Sequence, residues 1–312
     1  MFIIANSFKL ISMKDNTFFL FITPAFIWGS TWFAITFQLG QVDPLVSVFY
    51  RFALAGIILL LYCKIAGLNM KFKPLHHVFI ALQGASLFGL NYWFVYKAEM
   101  ILASGLVAIV FSTLIFMNIF LGTIFLSKKI NSKVILGALL GFSGTILIFK
   151  PEISSFQLNG DKTFALLYCI AGVIFASSGN ILSAYNQRNK LPVLQTNAIG
   201  MTYGALLVLL VILVSGKSFT LDSRETYYFS LFYLATFGSI IAFTTYLKLL
   251  GKIGTDKGAY ATLVVPIIAI TISSIFEEYP FTYFTLIGMV LILSGNLLVI
   301  IKKRDLKTKQ VL

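Results

Sequence analysis

One arginine, Arg51, sits inside the apolar stretch 44 to 63, about seven residues past Pro44 and roughly 10 Å along a helix axis. An arginine at membrane depth costs about 2.5 to 3.5 kcal/mol on insertion scales, so its side chain must face protein or a cavity rather than lipid. Ser47 and Ala55, four residues to either side, share its face and leave room for a guanidinium. Two readings compete: an anchor for an anionic or carboxylate group, or a structural arginine bonded to neighbouring carbonyls or snorkelling outward.

Other candidates lie where polar atoms interrupt apolar runs. Trp28 and Trp32 fall in the first run, and Asn91, Tyr92 and Tyr96 in the third, with the two tyrosines stacked four apart. Such side chains suit an amphipathic pocket, though at 15% aromatic residues most rings must simply fill core or meet lipid. Asn91 stands out, because its amide needs partners away from water. Ser177 and Asn180 share a face in the sixth run, and Thr244, Tyr246 and Thr262 supply hydroxyls in the eighth and ninth. Pro266, read as mid-helix, would free a carbonyl in the preceding turn and act either as a hinge or as a static kink. Gly137, Gly141 and Gly144, and the pair Gly200 and Gly204, read as close helix packing.

Several chemistries lack their parts. His76 and His77, the only histidines, are adjacent in a loop and cannot make an i, i+4 metal pair; no metal site and no cofactor are expected. Cys63 and Cys169 lie in apolar runs and read as core fillers. There is no phosphate loop, no GxSxG elbow and no intramembrane carboxylate pair, so the chain is not expected to be an enzyme. Every Asp and Glu lies near a span end or outside one, which favours exchange, facilitated diffusion or a coupling not visible in the sequence.

The elements that must position these residues are helices in lipid. The 312 residues are 58% apolar and 11% charged, too hydrophobic for a soluble core. Ten apolar segments stand out, at roughly 18–38, 44–63, 76–96, 104–126, 134–149, 163–185, 193–215, 227–247, 258–276 and 282–301. The formal charge of +13 is spread in short clusters between them, with no basic face for nucleic acid. With a cytoplasmic N-terminus, 18 of the 24 Lys and Arg residues fall inside and five outside, so both termini are expected in the cytoplasm. The first span has no cleavage site and is expected to remain, with Met13 as an alternative start to Met1.

A shift of 151 residues sets Ala108 on Ala259, Gly137 on Gly288 and Gly144 on Gly295, and a shift of 147 or 148 relates the earlier spans. The halves are repeats, and five spans in each make them inverted. The order and duplication of Trp28-Gly29-Ser30-Thr31, Tyr50-Arg51-Phe52, Ala259 to Pro266, Glu278 and Gly288 to Gly295 resemble the drug/metabolite transporter superfamily, specifically its two-domain EamA type. Where that family often has a proline in the fourth helix and an acid after it, this chain has Ile115 and Ser127.

The fold class expected is therefore all-α integral membrane, with a cytoplasmic segment 1–17, repeats over 18–149 and 163–301, a periplasmic linker 150–162 and a basic tail 302–312. The resemblance implies a cavity lined by helices 1, 3, 4, 6, 8 and 9. It also implies secondary transport of a small organic metabolite, amino acid-like or related, efflux included, across a bacterial inner membrane. Expected partners are the small-molecule substrate and the bilayer, not nucleic acid, with a monomer or weak homodimer as the assembly. The rival reading is a non-transporting sensor or assembly subunit that keeps the fold.

Overall fold

The computed structural model describes residues 16–126, 132–148, 150, 160–253, 259–262 and 265–300. The N-terminal segment up to residue 15, most of the expected linker and the basic tail lie outside the described residues. Ten helical units follow one another: α1 Thr17–Thr36, α2 Pro44–Ile65, α3 Pro74–Glu99, α4 Ser104–Leu126, α5 Ser132–Ile148, α6 Asp161–Arg188, α7 Val193–Val214, α8 Glu225–Lys252, α9 Val265–Phe276 and α10 Tyr283–Ile300. Seven of them are long and apolar enough to cross a membrane, and the other three, α5, α9 and α10, are shorter apolar helices.

The ends form where local chemistry dictates. The Asn16 side chain accepts from Phe18 N at 3.1 Å to open α1, and Asp43 accepts from Leu45 N at 2.9 Å ahead of Pro44 at the start of α2. Large apolar side chains such as Ile65, Phe229 and Leu213 point outward, as lipid contact requires.

Four helices are irregular, and the irregularities come in pairs. α3 carries a π-segment, Ala85–Leu90, and α8 carries another, Leu234–Ile241. α4 is interrupted at Ser112 and Thr113, whose hydroxyls donate to Ile109 O at 2.7 Å and Val110 O at 2.6 Å; it resumes at Leu114. α9 starts at Val265 after a 3₁₀ turn, Ala259–Thr262. The same 151-residue shift relates Pro74 to Glu225 at the starts of α3 and α8, Asn91 to Ala242 where their π-segments end, Leu114 to Val265, and Ser132 to Tyr283. The repeat is thus written into backbone defects as well as side chains.

Pro266 lies in α9, one residue beyond Val265, the first described residue of that helix. One expectation changes here. His76 and His77 belong to the first turn of α3 and not to a loop, and His77 Nδ1 pairs with the Tyr203 hydroxyl at 2.8 Å.

The glycines pack helices together. A Cβ on Gly144 would come within 2.6 Å of Gly288 O, and one on Gly204 within 2.7 Å of Gly84 O. These contacts bring α5 against α10 and α3 against α7 at backbone distance. Cys63 and Cys169 are buried and unbridged, as core fillers should be.

Candidate functional site

Between the two repeats lies a cavity enclosing about 670 Å³ of empty space, counted out to its mouth. Its walls come from α1, α3, α4, α6, α8 and α9 with the turn before it. The irregular backbone of the fold is concentrated there. The π-segment of α8 leaves the Gly238 carbonyl to accept the Trp28 indole N–H at 3.2 Å, while Ser112 and Thr262 face the cavity from the interruption in α4 and the turn before α9.

Trp28 packs edge-on against Phe243 and Tyr246, with ring centroids 5.0 and 4.8 Å away. Trp32 faces Phe111 at 5.0 Å, and Tyr92 meets Phe52 at 4.9 Å. The result is an aromatic box with a few polar atoms aimed into it. Asn91 Nδ2 donates to Leu87 O at 3.2 Å, which leaves Asn91 Oδ1 without a partner among the described residues. Asn180 Nδ2 donates to Asn118 Oδ1 at 3.3 Å, which likewise leaves Asn180 Oδ1 unpaired. Trp32 Nε1 and the Tyr246 hydroxyl are buried without a hydrogen-bond partner in the same set. Each such atom, sealed from water, favours a ligand group that completes it.

Of the residues singled out from sequence, Trp28, Trp32, Asn91, Tyr92, Asn180, Tyr246, Thr262 and Pro266 line the cavity. Arg51, Tyr96, Ser177 and Thr244 do not line it, though all four are buried. Thr31, Phe111, Ser112 and Phe243 line it without having been singled out. Thr31 and Ser112 offered a sequence signal, each as half of a hydroxyl pair breaking an apolar run.

Arg51 stands behind the wall. Its Nε donates to Ser239 Oγ at 3.0 Å, which in turn donates to Leu234 O at 2.9 Å, and its guanidinium carbon lies 4.2 Å from the centroid of the Tyr92 ring. Gly238 permits this approach, since a Cβ there would sit 3.2 Å from Arg51 Nη2. Ser47 and Ala55 are fully buried beside it, as the shared face required. Arg51 therefore meets the cavity through Tyr92, and among the described residues no Lys, Arg, Asp or Glu side chain lines it.

Beyond the cavity, each end of the bundle is tied by a buried polar cluster. At one end Gln38 Nε2 donates to Tyr227 O at 3.0 Å, and the Ser47 and Tyr227 hydroxyls pair at 3.0 Å. At the other, Asn186 Nδ2 donates to Gln83 Oε1 at 2.9 Å and Gln83 Nε2 to Asn197 Oδ1 at 3.4 Å. The first cluster uses the turn just past α1 together with α2 and α8; the second uses α6, α7 and α3, the repeat counterparts of α1, α2 and α8. Among the described residues, no three His, Cys, Asp or Glu side chains gather as metal ligands.

A helical bundle of two repeats around a shared cavity, with lipid-facing apolar side chains, defines a membrane transporter of the drug/metabolite type. The chain belongs to the EamA-like transporter family, whose pattern it matches twice, over residues 16–150 and 163–301. It is 28% identical over 269 residues to YedA, an inner membrane transporter of Escherichia coli strain K12, covering 85% of this chain and 83% of YedA. It is 27% identical over 300 residues to an S-adenosylmethionine uptake transporter of Rickettsia bellii, covering 91% of this chain and 97% of that one. A solved crystal structure shares the fold at a TM-score of 0.68 and 15% identity, over 89% of this chain and 94% of the other.

Proposed function

We propose that the protein is a secondary carrier, not an enzyme, that moves a small organic metabolite across a bacterial inner membrane by alternating access of its two inverted repeats. The observation that carries this reading is the cavity itself, lined by equivalent helices of both repeats and flanked at either end by a buried polar cluster built from equivalent helices. Loosening one cluster while the other holds opens the cavity to one side at a time. The charge bias supports an arrangement with the α3–α4 end outside and both termini in the cytoplasm.

The wall also speaks for a kind of cargo. Aromatic faces, two free amide oxygens and no charged lining suit a flat, neutral or cationic solute that offers hydrogen-bond donors, in place of the carboxylate that Arg51 suggested. Counterflow into proteoliposomes over nucleobases, amino acids and S-adenosylmethionine tests both statements. Saturable uptake of a donor-bearing planar or cationic solute, retained within about threefold in Arg51→Lys, is expected. An absence of saturable flux across the whole panel would instead favour the sensor or assembly subunit.

A further inference from the structure

The most unusual group outside the cavity is Glu99, the last residue of α3. Only 6% of it is exposed, and neither carboxylate oxygen has a hydrogen-bond partner among the described residues. A charged carboxylate sealed from water without a partner is strongly disfavoured, whereas the neutral acid tolerates the site.

Four elements around Glu99 bring titratable or charged groups into its electrostatic reach. α2 contributes Arg51, α3 itself Tyr92 and Tyr96, α6 Cys169, and the end of α9 Glu277. Arg51 does not neutralise Glu99 through a bond, because its Nε is taken by Ser239 and its Nη1 and Nη2 make no hydrogen bond. Glu277 is already committed to the start of α4, where its carboxylate accepts from Ser104 N at 3.2 Å and from the Ser104 hydroxyl. Its carboxyl group therefore stands near Glu99 at the junction of α3, α4 and α9.

We infer that Glu99 is a proton-binding site that ties closure of the α3–α4 end to pH. With Glu99 sealed from water, as it is here, this end counts as closed and Glu99 carries the proton. Parting α3 from α9 admits water, the proton leaves to that water, and the resulting carboxylate repels Glu277 and holds the end open. Acid on that side therefore favours the closed arrangement, and one proton leaves per opening, so the opening equilibrium shifts by at most about tenfold per pH unit.

The inference rests on the proposed opening and closing of that end, but its test needs no cargo. Leu102→Cys, placed at a 5% exposed position just beyond Glu99 in a Cys63→Ala, Cys169→Ala background, is labelled with a maleimide in detergent micelles between pH 5.5 and 8.5. Rates are divided by those of the exposed Met100→Cys, which removes the intrinsic pH dependence of the thiol reaction. The normalised rate is expected to rise at least tenfold with pH when Glu99 is present, and to stay low and flat in Glu99→Gln, which mimics the neutral acid. Glu99→Leu, carrying the residue found at the equivalent Leu250, should be flat as well and guards against a folding failure of the first variant.

A rise that survives both substitutions, or a flat profile in the parent, overturns the proposal. So does a parent profile that responds to sodium at fixed pH, which would make the ligand a metal cation. Because labelling reads the closure directly, a failure of metabolite counterflow leaves this result standing and a failure here leaves the carrier reading intact.

Discussion

The two repeats share a backbone and divide the chemistry. α3 and α8 begin at equivalent residues, Pro74 and Glu225, carry a π-segment each, and leave it at equivalent residues, Asn91 and Ala242. Yet where α3 offers Asn91, Tyr92, Tyr96 and Glu99, α8 has Ala242, Phe243, Leu247 and Leu250. Arg51 likewise falls on the apolar Ala198 or Ile199, at shifts of 147 or 148. Symmetric backbones let a carrier adopt two related packings; asymmetric side chains make the two ends of the cavity chemically different. Replacing first-repeat residues with their second-repeat counterparts separates those two contributions.

The largest effect is expected where symmetry of sequence would break symmetry of packing. Gly84 corresponds to Ala235, which is fully buried in α8 without difficulty. In α3, however, a Cβ at Gly84 would overlap the Gly200 carbonyl of α7. Gly84→Ala should cost about 3 kcal/mol, the upper range for overpacking, and lower the yield of monodisperse protein. Ala235→Gly, the reverse exchange, should cost only about 1 kcal/mol, the intrinsic penalty of glycine in a helix. Thermal unfolding in detergent distinguishes them, and equal losses would mean that the α3–α7 contact is not the tighter of the two.

This asymmetry also marks what the sequence could and could not reveal. The ten segments are readable because a bilayer demands long apolar runs, and Gly137, Gly144, Gly288 and Gly295 betray the repeat because only glycine allows the approach of α5 and α10. The cavity helices followed from the family resemblance. Trp28, Asn91 and Asn180 stand out in the sequence as polar atoms in apolar surroundings, and the structure has them on the cavity wall. Ala108, Phe111 and Phe243 were not, because nothing in an apolar residue tells lipid from cavity. Arg51 was correctly seen as buried, but its exclusion from the wall depends on Tyr92 and Gly238 meeting it from other helices. Glu99 was hidden for a related reason: its position at a span end suggested water, and only tertiary packing seals it.

A medium effect is expected at the wall. Asn91→Ala installs the residue of the second repeat and removes a free amide oxygen that a bound donor would use. For whichever solute shows saturable counterflow, half-saturation should rise about tenfold, equivalent to about 1.4 kcal/mol. Leucine at the same position would confuse lost hydrogen bonding with lost volume, so alanine paired with Asn91→Asp is the sharper set. If both variants transport like the parent, Asn91 is a packing residue and the polar bias of the first repeat lies elsewhere.

The smallest effect concerns the loops that enter α3 and α8. Arg224, which caps α8, donates to Leu39 O at 2.8 Å beyond the end of α1 and is clasped by Asp222, with Nε to Oδ1 at 2.9 Å. The equivalent loop before α3 has Lys71 and Lys73 at these positions, two like charges with no such clasp. The Arg224 side chain, chiefly by hydrogen bonding, holds the Asp222 carboxyl below its ordinary value of 3.8. The clasp is therefore complete above that ordinary value and is lost as the pH falls through the lowered one. Asp222→Ala should cost about 1 kcal/mol at neutral pH, because Arg224 is partly exposed and its pairing is screened by solvent. The gap between parent and variant should close as the solution is acidified below 3.8. Melting curves at neutral and strongly acid pH measure it, and a gap that widens in acid would mean that Asp222 acts through its neutral form and not through Arg224.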